Sequence, residues 1–156
     1  MTQLRERSAS AARPLPDEVR LSGRENMAGR MPALLRTIGA IAVLVVGAVH
    51  LQQYLSYPAV PVIGPLFVLN FAGATMIGLG LLVPESRLRP LHPLLALGGI
   101  GLAATSIIFL FISEHQPLFG FHEHGYRAAI VIALAAEAVT VVTLVGYVAT
   151  RALGRS

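Results

Sequence analysis

The chain alternates between long apolar stretches and short polar ones, and this alternation is its most informative feature. A helix needs roughly 20 apolar residues to cross a hydrocarbon core about 30 Å thick. Stretches of that length lie at residues 37–55, 63–83, 91–112 and 126–150. We therefore predict an all-α membrane protein, an antiparallel bundle of four transmembrane helices. Small residues at four-residue spacing should mediate its helix contacts, namely Ala74 with Gly78, Gly99 with Ala103 and Ala129 with Ala133.

The segments outside these spans are polar. Residues 1–33 contain scattered charge and several prolines but no apolar period, so we expect a disordered cytoplasmic arm there. A transmembrane domain at 34–150 and a cytoplasmic tail at 151–156 complete the predicted organisation. One alternative stays open, because residues 30–48 also resemble a signal peptide with a cleavage position after Ala48. A translation start at Met27 or Met31 is a second alternative.

Arginine is distributed unevenly among the connecting segments. All twelve basic residues are arginine, and eleven precede the first span, lie between the second and third spans, or belong to the tail. Arg127 is the exception and lies at the start of the fourth span. Because positively charged flanks stay in the cytoplasm, both termini are predicted to be cytoplasmic. A composition rich in Ala, Leu, Val, Gly and Arg but lacking Lys is typical of a high-GC bacterium, so we expect the bacterial plasma (inner) membrane.

The composition excludes several function classes. Only 13% of the residues are charged, which is about half the usual fraction for a soluble domain. The sequence pI near 10.3 would suit nucleic acid, but the arginines flank membrane spans, so we expect the lipid bilayer as partner and no nucleic acid. The absence of cysteine excludes disulfides, thiolate metal sites and cysteine redox chemistry.

Polar residues inside the spans are the candidates for a functional site. Glu137 lies about 15 Å into the fourth span, where an ionised carboxylate costs several kcal/mol unless it is paired or hydrated. The other candidates lie toward the predicted outer ends of three spans, namely His50, Gln53, Tyr54, Asn70, Thr105 and Ser106. We predict that these side chains form a polar funnel that opens outward, with Glu137 at its floor. The alternative is that Glu137 and His50 only hydrogen-bond neighbouring helices and stabilise the bundle.

The segment "SEHQPLFGFHEHGY" at residues 113–126 holds three of the five histidines. Its possible metal ligands are Glu114, His115, His122, Glu123 and His124. Imidazole and carboxylate suit zinc, nickel, cupric or ferrous ions, although the spacing matches no standard signature. A divalent metal at the outer rim is therefore one hypothesis, and a proton site formed by the histidines is a second. The third is a set of solvated rim residues in which Glu123 pairs with Arg127.

In their general hydropathy pattern, residues 34–150 resemble the small four-span integral membrane proteins of unassigned function found in high-GC bacteria. The resemblance includes no diagnostic motif and assigns no functional residue. No nucleophile and base stand out as a pair, so an enzyme is not favoured. The sequence favours a non-enzymatic subunit or partner, either of a larger membrane complex or of a homo-oligomer. The alternative is a small carrier or ion-binding protein that uses the predicted funnel.

Overall fold

The structure, a computed structural model, describes the backbone of residues 16–56, 61–117, 119 and 127–153, with side chains from residue 30 onward. Within these ranges the chain forms helices and no strand. The helices are α1 (Pro16–Ser56), α2 (Ile63–Leu82), α3 (Glu85–Leu88), α4 (His92–His115) and α5 (Ala128–Leu153).

Four helical segments in the described part of the chain are long and apolar enough to cross a membrane. They are Arg30–Ser56 of α1, Ile63–Leu82, His92–His115 and Ala128–Leu153. The protein is therefore a small multi-pass membrane protein, and the predicted all-α fold class is confirmed. The ends of the second to fourth spans agree with the prediction to within three residues, whereas the first span begins seven residues earlier, at Arg30 instead of residue 37.

The N-terminal arm differs in part from the prediction of disorder over residues 1–33. Residues 16–33 are helical, because α1 begins at Pro16. Proline suits a first helical turn, since its φ is fixed near the helical value and its missing N–H would have no partner there. Residues 1–15 lie outside the described part of the chain. One compact unit runs from Pro32 to Ser156 and contains three of the spans and all but the first two residues of the other.

Small residues let the long helices approach closely in one half of the bundle. A Cβ added to Gly47 of α1 would lie 2.9 Å from the Cβ of Ala74 in α2. A Cβ added to Gly39 of α1 or to Gly99 of α4 would overlap Leu144 of α5. Helices in lipid associate through such close backbone contacts, since lipid chains are as apolar as leucine. The contacts arrange the long helices in the order α1, α2, α4, α5, and α1 closes the ring against α5.

The core of the bundle lies in this closely packed half. Its buried side chains are Ala40, Val43, Ala74, Ile77, Leu81, Ala96, Leu144 and Tyr147. Two of the predicted small pairs, Ala74 with Gly78 and Gly99 with Ala103, are buried here. The third pair, Ala129 with Ala133, instead lines a cavity in the other half. His50, Phe67 and Ile130 also line this cavity.

Candidate functional site: a cavity inside the bundle

A cavity of about 380 Å³ lies between the four long helices, in the half nearest the α1–α2 and α4–α5 connections. Its wall is formed by the end of α1, the start of α2, the second half of α4 and the first half of α5. Most lining side chains are apolar. The described polar residues of the wall are His50, Gln53, Asn70, Thr105, Ser106, Ser113 and Glu137.

Glu137 occupies the buried face of α5. The buried residues of this helix recur at spacings of three and four, which places Glu137 on the same face as Ile130, Thr140 and Leu144. Its side chain is 2% exposed and lines the cavity. Nine residues separate it from the start of α5, which corresponds to a depth of about 14 Å. Within the described part of the chain, no group donates a hydrogen bond to its carboxyl group.

Asn70 of α2 contacts α4 across the cavity wall. Its Nδ2 donates a hydrogen bond of 2.8 Å to the Oγ of Ser106. Its Oδ1 is buried and has no hydrogen-bond partner. Its nitrogen carries two N–H groups, one of which is used on Ser106, and the oxygen is the buried atom of this amide that still lacks a partner.

His50 of α1 is held in a defined orientation. Its Nδ1 lies 2.8 Å from the carbonyl oxygen of Val46, one turn earlier. A carbonyl only accepts, so Nδ1 carries the proton and donates. In a neutral ring this leaves Nε2 as an acceptor. The ring also meets Phe67 of α2 edge-on, with 5.7 Å between ring centroids, and this contact fixes the pair against the cavity wall.

The cavity brings together six of the seven residues predicted for the intramembrane funnel: His50, Gln53, Asn70, Thr105, Ser106 and Glu137. The exception is Tyr54, which is half-buried and does not belong to the wall. At about 100° per residue, Tyr54 lies near His50 around the helix but far from Val49, which places it at the edge of the side of α1 that lines the cavity. Ser113 also lines the cavity and was not among the predicted site residues.

The predicted metal ligands at the rim are only partly described. Glu114 and His115 end α4, and the Nδ1 of the exposed His115 lies 2.7 Å from the carbonyl oxygen of Phe111. His122, Glu123 and His124 lie outside the described residues. In the described ranges, no three histidine, aspartate or glutamate side chains come close enough to hold a metal. Metal binding at the rim stays a prediction.

A polar network lies at the opposite end of the bundle and was not predicted from the sequence. The Nη1 of Arg36 in α1 donates to the carbonyl oxygens of Leu81 and Val83 at the end of α2, the latter at 2.9 Å. A guanidinium suits the negative end of a helix and satisfies carbonyls that have no helical partner. The Nε2 of His92, which is fully buried, lies 3.1 Å from the same Val83 oxygen.

The same end contains an ion pair between α3 and α5. The Nη1 of Arg151 lies 3.0 Å from the Oε1 of Glu85 and 2.7 Å from the hydroxyl of Tyr147. Tyr147, which is fully buried, donates to Glu85 at 3.1 Å. The spacing of Tyr147 and Arg151 places them on one helical face, but their partner lies more than 60 residues away in sequence. Only the fold brings these groups together.

Comparisons of the chain with protein-family models, with curated proteins and with solved structures gave no match. The function is therefore inferred from the residues around the cavity. The described residues of the wall include no arginine or lysine. Its best-defined polar groups are a carboxyl group, an amide oxygen and an imidazole nitrogen, all of which can accept hydrogen bonds.

Proposed function

We propose that this protein binds a small, mostly apolar molecule inside the bilayer and acts as a carrier or receptor for it. The observation that carries this proposal is Glu137, which is buried at mid-membrane depth, lines a cavity and receives no hydrogen bond from the described residues. The cavity volume of about 380 Å³ lies within the range of small-molecule sites, about 300–1,000 Å³.

The unpaired carboxyl group favours binding over a purely structural role. Acidic residues at the centre of a membrane are costly and usually mark a pathway or a ligand site. A glutamate that served only to join helices would be expected to hydrogen-bond a neighbouring helix. Asn70 provides a second buried oxygen without a donor on the same wall. A ligand that donates hydrogen bonds would satisfy both groups.

The direction of the cavity follows from the arginine distribution. The polar network of Arg36, His92 and Arg151 lies at the arginine-rich end of the bundle, which we assign to the bacterial cytoplasm. The cavity lies toward the opposite end and is therefore proposed to open to the exterior side of the plasma membrane. Both termini are then cytoplasmic.

A role as a non-enzymatic subunit of a larger membrane assembly, or of a homo-oligomer, stays a prediction. It is compatible with a ligand site, since a small bundle can bind its ligand as part of a complex. Packing alone, however, requires neither an open cavity nor buried acceptors without donors.

Filling the cavity tests the proposal. A Cβ added to Gly101 of α4 would meet no atom within 4 Å, and this residue lines the cavity. Gly101→Leu should therefore fold normally while occupying the ligand space. We expect 2-naphthylmethylamine or 2-naphthylmethanol, near saturation, to raise the unfolding temperature of the parent protein in detergent by about 5–10 °C. The same ligands should leave Gly101→Leu unchanged.

Gly98→Ala is the matched control for replacing a glycine in α4. Its added Cβ would make an ordinary contact with Ile77 at 3.4 Å, and Gly98 is not part of the wall. This variant should keep the full shift. Equal shifts in the parent and in Gly101→Leu would mean that the probes act through the detergent or another surface, and no shift in any variant would also contradict ligand binding in the cavity.

A further inference from the structure

We infer that the ligand is a lipophilic amine, protonated and bearing at least one N–H, whose apolar body fits between α1, α2, α4 and α5. This inference rests on the proposed function and names the ligand class of the same site.

The hydrogen-bonding pattern of the wall favours a ligand that donates hydrogen bonds. The Oδ1 of Asn70 is buried without a hydrogen-bond partner, while the Nδ2 of the same amide donates to Ser106. The Nδ1–H of His50 donates to Val46, which leaves Nε2 as the acceptor of the neutral ring. Glu137 adds a carboxyl group that receives no hydrogen bond from the described chain. An ammonium group carries donors and no acceptor, so it complements all three groups.

The charge of the wall favours a cation over an anion. An anionic ligand would need arginine, lysine or a cluster of N–H donors, and the described wall contains no basic side chain besides His50. The carboxylate of Glu137 would gain a charge-assisted hydrogen bond from an ammonium group in a place where water is scarce. Phe67 and Phe109 also line the cavity, and aromatic faces attract cations.

The size and polarity of the wall favour an organic cation over a metal ion. Sodium, magnesium and calcium take several oxygen ligands at short range, whereas most of this wall is hydrocarbon. A cavity of about 380 Å³ is also far larger than a single ion needs. An amine with an apolar body uses both parts of the site.

The exposed rim of the cavity is consistent with a ligand that partitions into lipid. Leu69 of α2 and Phe109 of α4 line the cavity and are 68% and 38% exposed. Both lie within membrane spans, where an exposed side chain faces acyl chains. A lipophilic amine in the bilayer could therefore approach the cavity between α2 and α4.

Three probes with one ring system and different charge test the ligand class: 2-naphthylmethylamine, 2-naphthylmethanol and 2-naphthoate. The chain contains no tryptophan, so the fluorescence of the naphthalene ring can be followed directly in a titration of the full-length protein in detergent. Binding is taken as the signal of the parent minus that of Gly101→Leu, which removes partition into micelles. We expect the amine to bind about tenfold or more tightly than the alcohol, since hydrogen bonds to charged groups are the strong ones.

Substitutions at Glu137 identify the group that recognises the amine. Glu137→Gln should weaken amine binding about tenfold or more and leave the alcohol unchanged, because the amide keeps the shape but not the charge. Glu137→Asp should retain most of the preference for the amine. This pair of results would show that the preference depends on the carboxylate and not on the folding of the variant.

The possible outcomes separate this inference from the proposed function. If the alcohol binds as tightly as the amine, or if Glu137→Gln leaves amine binding unchanged, the ligand class is wrong while ligand binding in the cavity stands. If naphthoate binds more tightly than the amine, the assignment of the ligand as an amine is also wrong. If no probe gives a signal that Gly101→Leu removes, both the class and the proposed function fail.

Discussion

Glu137 and Asn70 share an unusual property for residues inside a membrane bundle, since each presents an oxygen for which the described residues supply no donor. A buried polar group without a partner costs about 1–3 kcal/mol. Most proteins are only marginally stable, so such groups usually persist where they serve a function. We therefore expect that these two oxygens lower the stability of the bundle and that their function is to bind a ligand.

Replacing Glu137 with methionine should make the protein more stable and unable to distinguish an amine from an alcohol. Methionine has a similar length and no polar group to bury, so we expect the free energy of unfolding to rise by about 1–3 kcal/mol. Equilibrium unfolding in detergent measures this change. Thr140→Val is the control, because the hydroxyl of Thr140 already donates to the Ala136 carbonyl at 2.8 Å. A loss of stability in Glu137→Met would instead identify Glu137 as a structural residue.

The residues of the cavity were partly predictable because polar side chains stand out in apolar spans. Glu137, Asn70 and His50 were found in this way. The residues of the opposite end were not. Arg36 and His92 lie near span ends, where polar residues are common and therefore do not indicate a specific contact. The two residues are 56 positions apart, and a local sequence pattern does not predict a contact over that separation.

At the scale of helices, hydropathy predicted the spans well but not which face of each helix turns inward. A helix in lipid is apolar on all sides, so its periodicity carries little information about the core. Polar residues supply that information only where they occur, as Glu137 does for α5. Spacings of small residues indicated two contact surfaces, yet the same pattern at Ala129 and Ala133 marks the cavity wall.

The contact between α1 and α2 should tolerate no side chain at Gly47. An added Cβ would lie 2.9 Å from the Cβ of Ala74 and 3.4 Å from the backbone oxygen of Phe71, and neither atom can rotate away. Although alanine is the better helix former, Gly47→Ala should lower the free energy of unfolding by about 1–3 kcal/mol. Equilibrium unfolding of the purified variant measures the loss.

Two further variants control for this effect. Gly101→Ala adds the same methyl group where nothing lies within 4 Å, and it should raise stability by about 0.5–1 kcal/mol. Adding Ala74→Gly to Gly47→Ala should recover most of the loss, because it removes the atom that the new methyl group meets. Unchanged stability in Gly47→Ala would show that α1 and α2 are not in close contact.

For the whole molecule, the described residues place a set of polar contacts at one end of the bundle and a cavity in the other half. Hydrogen bonds and an ion pair join α1, α2, α3, α4 and α5 at the end with the polar contacts. The sequence predicted this polarity in outline, since arginines cluster at one end and the intramembrane polar residues lie toward the other. It could not predict the cavity itself, whose volume depends on how far four helices separate.

Reporter fusions test the assigned direction of the bundle. Alkaline phosphatase requires disulfides that form in the periplasm and not in the cytoplasm. A fusion after Pro117, beyond the end of α4, should be active, and a fusion after Ser156 should be inactive. A fluorescent protein that folds only in the cytoplasm should report the opposite pattern at both sites. If the phosphatase were active only after Ser156, the cavity would face the cytoplasm.

Cysteine labelling shows whether a ligand occupies the cavity while the protein lies in its membrane. The chain has no cysteine, so Ala133→Cys in the cavity wall and Val142→Cys on the lipid-facing surface each provide a single thiol. We predict that a small methanethiosulfonate reagent labels Ala133→Cys and not Val142→Cys. Addition of 2-naphthylmethylamine at roughly ten times its Kd should slow the labelling about tenfold, because about a tenth of the sites then stay empty. Equal labelling of both cysteines, or labelling of Ala133→Cys that the amine does not slow, would contradict the account.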